Sequence, residues 1–238
     1  MRKRILFLFT AKGNEMKRTK LSERKLPSYT KGEEIFNYVS HIVGAAFGVF
    51  ALFACVITGA WHHSVWSVVG GSIYGVSLIA LYTMSSVYHA LRPSTAKKVL
   101  QIIDHCTIYM LIAGSYTPIL LSSIREVSPT TAWVLFGVVW GTAAMAATFT
   151  AIDLKKYAKL SMVCYLGMGW CVVFAMKALL EAIAFEGFLL LLFGGIAYTV
   201  GAVLYGVGKK HRYMHSVFHL FVLLGSVLQF FCIWLYVL

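Results

Sequence analysis

The sequence predicts an all-α, polytopic membrane protein built as a bundle of seven transmembrane helices. Of its 238 residues, 59% are apolar and only 13% are charged, and the mean hydropathy is +0.76. Soluble domains carry about 25% charged residues. The apolar residues also form long uninterrupted runs, whereas a membrane-spanning β-barrel shows short segments of alternating polarity.

Seven apolar runs reach the roughly 20 residues that cross a bilayer as a helix. They cover about 35–60, 66–90, 101–122, 131–151, 160–180, 187–207 and 215–237. The connections are short, which predicts that consecutive helices are antiparallel neighbours. The expected organisation is a basic cytoplasmic tail over 1–33, in which Met1 and Met16 are both candidate starts, and a seven-helix domain over 34–238.

Lysine and arginine are distributed unevenly about these runs. Nineteen of the 21 lie on one side: ten in the tail and three in each of the second-to-third, fourth-to-fifth and sixth-to-seventh connections. Only Arg125 and Lys177 lie on the other side. The positive-inside rule then predicts a cytoplasmic N-terminus and an outside C-terminus in a plasma or inner membrane. This topology accounts for the net charge of +12, because the basic residues lie where they can face anionic lipid headgroups. We therefore expect membrane lipids and no nucleic acid as partners.

Small residues and cysteines indicate packing within the bundle. The five cysteines fall in apolar runs and include no C-x-x-C pair, so we interpret them as buried hydrophobic residues. Glycines recur at the four-residue spacing that lets helix backbones approach closely. The pairs are Gly44/Gly48, Gly71/Gly75 and Gly137/Gly141. We expect them to pack helices within one chain; a dimer interface is the alternative.

Ionisable residues collect at one predicted depth near the cytoplasmic face. His89 closes the second run, Asp104 lies at the start of the third, and His215 and His219 begin the seventh. Ionisable side chains inside a bilayer are rare and usually functional. His215 and His219 are four residues apart and share a helix face, as do Ser85 and His89.

Three imidazoles and a carboxylate match a zinc site that keeps one position for water. Zinc lowers the pKa of such a water to about 7. Asp104 could hold that water or accept its proton, and Ser85 could orient a ligand or steady an oxyanion. The alternative is that each histidine hydrogen-bonds a carbonyl at a helix end.

A second polar group begins the first run. The spacing of Glu34, Asn37 and His41 puts them on one helix face at the same end of the bundle. They could support the metal ligands, contact a substrate or latch helices together; a polar helix start is the alternative. His105 lies about 100° around the helix from Asp104, so we expect it to face elsewhere. We also exclude the loop histidines, His62, His63 and His211.

At these residues the chain resembles the hemolysin III family, bacterial relatives of the progestin and adipoQ receptors that include the adiponectin receptors. The matching motifs are Glu34-x-x-Asn37-x-x-x-His41, Ser85-x-x-x-His89, Ile103-Asp104-His105-Cys106 and His215-x-x-x-His219. They occur in the expected order on helices one, two, three and seven, and the resemblance covers about residues 30–238. This chain lacks the long N-terminal region of the animal receptors, a departure that argues against hormone binding and leaves the core site intact.

The resemblance implies a seven-helix bundle with an intramembrane Zn²⁺ on the cytoplasmic side. His89, His215 and His219 would be the ligands, Asp104 would hold the zinc-bound water, and Ser85 would lie close by. The superfamily is associated with hydrolysis of lipid amides such as ceramides, and the family name reflects a reported cytolytic activity.

The leading hypothesis is therefore a zinc-dependent hydrolase of a membrane lipid amide or ester. A receptor or sensor with structural zinc, a pore-forming cytolysin and a haem-binding electron carrier are the alternatives. A pore needs polar residues through the full membrane depth, and haem needs histidines on facing helices. The sequence leaves open the substrate, the choice of zinc over another divalent ion and the oligomeric state.

Overall fold

The computed structural model describes residues 19–208 and 211–238, and within those ranges its regular structure is entirely helical. Seven helices there are long and apolar enough to cross a membrane, which confirms the predicted fold class. We number them α1 (Lys31–Trp61), α2 (Val65–Ala90), α3 (Thr95–Val127), α4 (Pro129–Ile152), α5 (Ala158–Ala182), α6 (Phe185–Val207) and α7 (Met214–Tyr236).

The helices extend beyond the predicted runs mainly at polar ends. Helix α1 begins at Lys31, inside the predicted tail, and α3 begins at Thr95 because Ser94 caps it by accepting a hydrogen bond from the Lys97 backbone N–H. Hydropathy finds the apolar centre of a helix and misses such polar first turns. Residues 1–18 of the predicted tail, and Lys209 and Lys210 of the last basic connection, lie outside the described residues.

Glu33 fixes the starts of α1 and α7 side by side. Thr30 and Glu33 form a capping box, in which the Thr30 backbone N–H donates to Glu33 Oε2 at 2.7 Å and the Thr30 hydroxyl accepts from the Glu33 N–H at 3.3 Å. The other carboxylate oxygen accepts from the Tyr213 backbone N–H at 2.7 Å, immediately before α7. The helix that carries His215 and His219 is thereby tied to the helix that carries Glu34, Asn37 and His41.

Helix α3 is the central element of the bundle. In its most apolar stretch 78% of residues are buried, compared with at most 50% in any other span. Helix α1 packs against α2 and α7, α2 and α4 pack against α3, and α6 packs against α7. A buried hydroxyl joins three of these helices, because Ser226 Oγ of α7 lies 2.7 Å from Tyr82 Oη of α2 and 2.8 Å from Tyr198 Oη of α6.

Two of the three glycine pairs pack helices closely, as expected. A Cβ on Gly71 would lie 2.7 Å from Cys55 Cβ, and one on Gly75 would lie 2.6 Å from Leu52 Cα, so α1 and α2 touch nearly backbone to backbone. The expectation is wrong for Gly137 and Gly141, because no described atom lies within 4 Å of a Cβ added at either. Their side of α4 faces outward.

Two membrane helices depart from α-geometry in the half of the bundle away from the histidines. In α3, Pro118 is followed by a π-helical segment, Ile119–Ile124. In α5, a 3₁₀ segment, Cys171–Ala175, interrupts the helix. The Tyr116 hydroxyl supports this break, since it donates to the Gly169 carbonyl at 2.9 Å and accepts from the Val172 N–H at 3.1 Å.

Residues 19–30 cross the end of the bundle at which α1 begins. The Thr19 backbone N–H donates to Asp153 Oδ2 at 2.9 Å, and Lys98 Nζ donates to the Ser22 carbonyl at 2.8 Å. Burial of Asp153 opposes its ionisation, but hydrogen bonds from Thr19 and Lys156 and the charge of Arg24 outweigh it and hold the pKa of this carboxyl at about 2. The segment is therefore anchored to both the α2–α3 and α4–α5 connections.

Candidate metal centre

Three imidazole nitrogens converge where α2 ends and α7 begins. His89 Nε2 and His215 Nε2 lie 3.3 Å apart, and His219 Nε2 lies 3.0 Å from His215 Nε2. One nitrogen from each ring falls within 4.8 Å of the others. His89 and His219 are buried, with 1% and 2% of their surface exposed, and His215 is half-buried. The structure thus brings together the three histidines that the sequence singled out.

The spacing of these nitrogens fits a small tetrahedral metal ion. Zinc–nitrogen bonds of 2.0–2.1 Å at tetrahedral angles place two ligand nitrogens roughly 3.3 Å apart. The His89–His215 separation is 3.3 Å, and the His215–His219 separation of 3.0 Å is slightly shorter. Two of the three candidate ligands, His215 and His219, lie on consecutive turns of α7, so one helix fixes their relative position.

His89 is oriented from behind by a carboxylate. Its Nδ1 lies 2.7 Å from Glu34 Oε2, which favours the tautomer with the proton on Nδ1 and leaves Nε2 free for a metal. Lys97 Nζ lies 2.6 Å from Glu34 Oε1 and donates at 2.9 Å to the Leu91 carbonyl. Lys97 is almost fully buried, and its ammonium group pairs with the Glu34 carboxylate.

His215 and His219 are held by ring contacts. Among the described residues, their Nδ1 atoms have no hydrogen-bond partner. Tyr29 stacks on His215 with ring centroids 4.9 Å apart, and His41 stacks on His219 at 3.7 Å. The segment that precedes α1 therefore covers His215, and α1 itself contacts His219.

The structure brings Glu34, Asn37 and His41 together beside the three histidines. Asn37 is fully buried, accepts a 2.7 Å hydrogen bond from the Ser216 hydroxyl, and has its amide nitrogen 3.5 Å from His89 Nδ1. Both ring nitrogens of His41 are buried without a hydrogen-bond partner in the part of the chain that the structure describes. Glu34 and Asn37 thus contact His89, whereas His41 contacts His219.

Asp104 and Ser85 lie beside the three nitrogens without joining them. The group that could ligate a metal directly contains the histidines alone, while Asp104 and Ser85 line the cavity onto which His215 and His219 open. The Ser85 hydroxyl interacts with the Asp104 carboxylate. This arrangement suits contact with a water or a substrate atom more than direct ligation.

The expectation that His105 faces elsewhere is wrong. Its Nδ1 lies 2.8 Å from the Gln101 carbonyl and 3.7 Å from Asp104 Oδ2, and its ring lines the same cavity as Asp104. A separation of 100° on a helix excludes a shared narrow face, but this cavity extends around a wide sector of α3. His105 is therefore a neighbour of the candidate site.

Sequence reasoning also missed Tyr29 and Lys97. Tyr29 precedes the first apolar run, and Lys97 lies in a connection that the sequence marks only as basic. A lysine at the third position of a helix is by itself a weak signal of a functional role. Lys97 becomes informative only because α1 approaches α3 and places Glu34 beside it. Both residues act through contacts between segments that are distant in sequence.

An apolar cavity leads from the histidines into the bundle between α3, α5, α6 and α7. The space that the centre of a water molecule can occupy there is about 140 Å³. Its polar end contains His41, Ser85, Asp104 and the α7 histidines, and its walls include Ile108, Ile112, Leu166, Phe218 and Val222. A second, smaller cavity adjoins it beyond Ser115 and Tyr116. Such a lining accommodates a hydrocarbon chain.

The fold and site define a seven-helix membrane protein with buried histidines converging near one face. The family model described as "Haemolysin-III related" matches residues 29–230, and the chain belongs to this family. It is accordingly a multi-pass protein of the cell membrane.

Curated relatives agree with this assignment. The chain is 39% identical to "Hemolysin-3" of Bacillus cereus over 206 residues, covering 87% of this chain and 92% of the relative. It is 38% identical to the "Hemolysin-3 homolog" of Bacillus subtilis (strain 168), covering 87% and 96%. A more distant relative is the human "Monocyte to macrophage differentiation factor", 28% identical over 178 residues, covering 72% of this chain and 71% of the relative.

Proposed function

We propose that this protein is a zinc-dependent hydrolase that cleaves an amide or ester bond of a membrane lipid. The observation that carries the proposal is the convergence of three imidazole nitrogens at the polar end of an apolar cavity, with a carboxylate beside them. His89, His215 and His219 would hold the metal. A zinc ion held by three neutral imidazoles supplies a Lewis acid and a water of lowered pKa.

The protein's own groups have separate tasks in this proposal. The Asp104 carboxylate accepts the proton of the attacking water at Oδ1 or Oδ2 and later returns it to the leaving nitrogen or oxygen. The Ser85 hydroxyl interacts with that carboxylate and keeps it directed at the cavity. Glu34 holds the His89 ring, and Lys97 balances the Glu34 charge.

The apolar cavity indicates the class of substrate. A hydrocarbon chain can lie between α3 and α7 while its polar end reaches the histidines, so the lipid need not leave the membrane. Removing apolar surface from contact with water contributes nothing to binding inside a bilayer. Selectivity therefore depends on shape and on the few polar groups of the cavity.

Turnover by an Asp104→Asn variant tests the proposal. The zinc-loaded protein is incubated with fluorescent lipid amides and esters, and with an ether lipid of equal length that cannot be hydrolysed. We expect Asp104→Asn to lower turnover by about 10²–10⁴-fold, because it removes the general base. Its zinc content should stay at the wild-type level, since Asp104 is not among the converging ligands.

Glu126→Gln is the matched control for this change. Glu126 is an exposed carboxylate at the opposite end of α3, paired with Arg125, and its loss should leave turnover unchanged. Equal turnover by wild type and Asp104→Asn would overturn the hydrolytic role of Asp104. Bound zinc without turnover of any substrate in the panel would favour the receptor or sensor function.

Cytolysis is the second activity to consider, because the Bacillus relatives carry the name hemolysin. A pore through one chain needs polar groups along the whole membrane depth. The cavity walls beyond the histidines are mostly apolar. We therefore propose lipid hydrolysis as the primary function and membrane damage as a consequence of it.

A further inference from the structure

A glutamine lies deep in the apolar half of the cavity, and its amide oxygen has no partner among the residues that the structure describes. Gln229 of α7 has only 9% of its surface exposed, and its Oε1 is buried with no hydrogen-bond partner among the described residues. An amide oxygen left unpaired in apolar surroundings destabilises a protein, because it has lost its hydrogen bonds to water without replacement. A membrane protein that retains such a group needs a ligand or an ordered water to satisfy it.

Gln229 stands on the wall shared by the two cavities. The other polar groups of that wall are already used: Ser115 Oγ donates to the Ile112 carbonyl, Tyr116 Oη bonds across the break in α5, and Trp170 Nε1 donates to Thr199. On the facing helix, a Cβ added to Gly194 would lie 2.9 Å from Gln229 Cγ, so the absence of a side chain there leaves room for the amide. The surroundings of the Gln229 amide therefore leave space for a ligand where a neighbouring side chain would otherwise lie.

The backbone near Gln229 is irregular on two sides. The π-helical residue Ile119 and the 3₁₀ residues Val172 and Val173 line the second cavity together with Gln229. Single-turn π-segments within α-helices are frequent at functional sites. Both irregular segments thus border the cavity onto which the amide opens.

We propose that the Gln229 amide binds a hydroxyl or keto group carried on the hydrocarbon chain of a lipid whose polar end lies at the histidines. This rests on the proposed function only in placing a lipid in the cavity. Gln229 follows His219 by ten residues, a rise of about 15 Å along α7 and roughly the length of a dozen extended methylene groups. The preferred ligand is thus an acyl chain oxygenated near its twelfth carbon.

Binding of two fatty acids to the purified protein tests this proposal. Stearic acid and 12-hydroxystearic acid are compared by displacement of a fluorescent fatty acid in detergent micelles. We expect the hydroxylated acid to bind about three- to tenfold more tightly, as one net hydrogen bond predicts. Moving the hydroxyl to carbon 8 or carbon 16 should remove the advantage, and this series needs no variant protein.

Gln229→Met preserves side-chain length and removes the amide. It should abolish the preference, whereas Phe231→Leu, a change at a lipid-facing position of the same helix, should retain it. Equal binding of the two acids by wild type, or a preference that survives in Gln229→Met, would overturn the proposal. The same titrations on wild-type protein freed of zinc by a chelator separate the two proposals: a preference that persists there, with no turnover by the zinc-loaded protein, supports the amide site and contradicts the hydrolase.

Discussion

At the scale of single residues, two adjacent carboxylates at the start of α1 have different roles. Glu33 completes a capping box and accepts from the Tyr213 N–H, so it stabilises two helix starts. Glu34 points into the bundle and contacts His89 Nδ1 and Lys97 Nζ. Glu33 thus acts on the candidate ligands only through the helix starts, whereas Glu34 contacts one of them directly.

Glu34→Gln should weaken zinc binding by about 10–100-fold, the usual cost of losing the carboxylate behind a ligating histidine. The amide can still accept a hydrogen bond, but it cannot balance Lys97 or raise the basicity of His89. The zinc dissociation constant of the purified protein, measured by competition with a chelator of known affinity, gives this number.

Glu33→Gln serves as the control at the adjacent position. It should lower the thermal stability of the purified protein, since a capping interaction contributes about 0.5–2 kcal/mol. Its zinc affinity should fall less than that of Glu34→Gln, because Glu33 touches no candidate ligand and acts on His215 only through the start of α7. An equal loss of zinc affinity in both variants would show that the effect of Glu34 is general destabilisation.

At the scale of the helices, close packing of α1 and α2 holds His89 against Glu34. His89 ends α2 and Glu34 begins α1, so a shift between these helices would separate them. Gly71 and Gly75 permit the near contact of the two backbones, whereas Gly137 and Gly141 of α4 pack against no described atom. The same sequence spacing has therefore two different structural meanings in this chain.

Gly75→Ala should lower the free energy of unfolding by about 1–3 kcal/mol, because its Cβ would lie 2.6 Å from the Leu52 Cα atom, which cannot move aside without shifting α1. Gly137→Ala should be neutral or stabilising by up to about 1 kcal/mol through helix propensity. Thermal unfolding of both variants in the same detergent makes the comparison. A larger loss in Gly137→Ala would contradict the assignment and indicate that this face of α4 packs against a second copy.

Hydropathy and spacing predicted most of the fold and the core of the site. The seven spans and the group of three histidines follow from composition and helix periodicity, since the opening residues of α7 and the end of α2 must meet at one face. Pro118 signals a disturbance in α3, but the π-helical form of Ile119–Ile124 and the 3₁₀ form of Cys171–Ala175 could not be predicted, because both sequences are compatible with an α-helix. The positions of Tyr29, Lys97 and His105 depend on how three helices approach one another, which no local pattern encodes.

At the scale of the whole molecule, the side of the membrane on which the histidines lie depends on how the helix bundle is oriented. The charge distribution predicts that the histidine end faces the cytoplasm. A green fluorescent protein fused after Leu238 should then be dark in a bacterial host, whereas alkaline phosphatase at the same place should be active. Fluorescence of the first fusion together with inactivity of the second would reverse the assigned orientation.

The central claim is that the three histidines bind a metal ion, and elemental analysis of the purified protein tests it directly. Wild type should contain about one zinc per chain, as three converging imidazoles predict. His215→Ala/His219→Ala should contain none, while the control His62→Ala/His211→Ala, which removes two exposed histidines, should match wild type. A folded, monodisperse wild-type protein without zinc, or equal zinc in both double variants, would contradict the account.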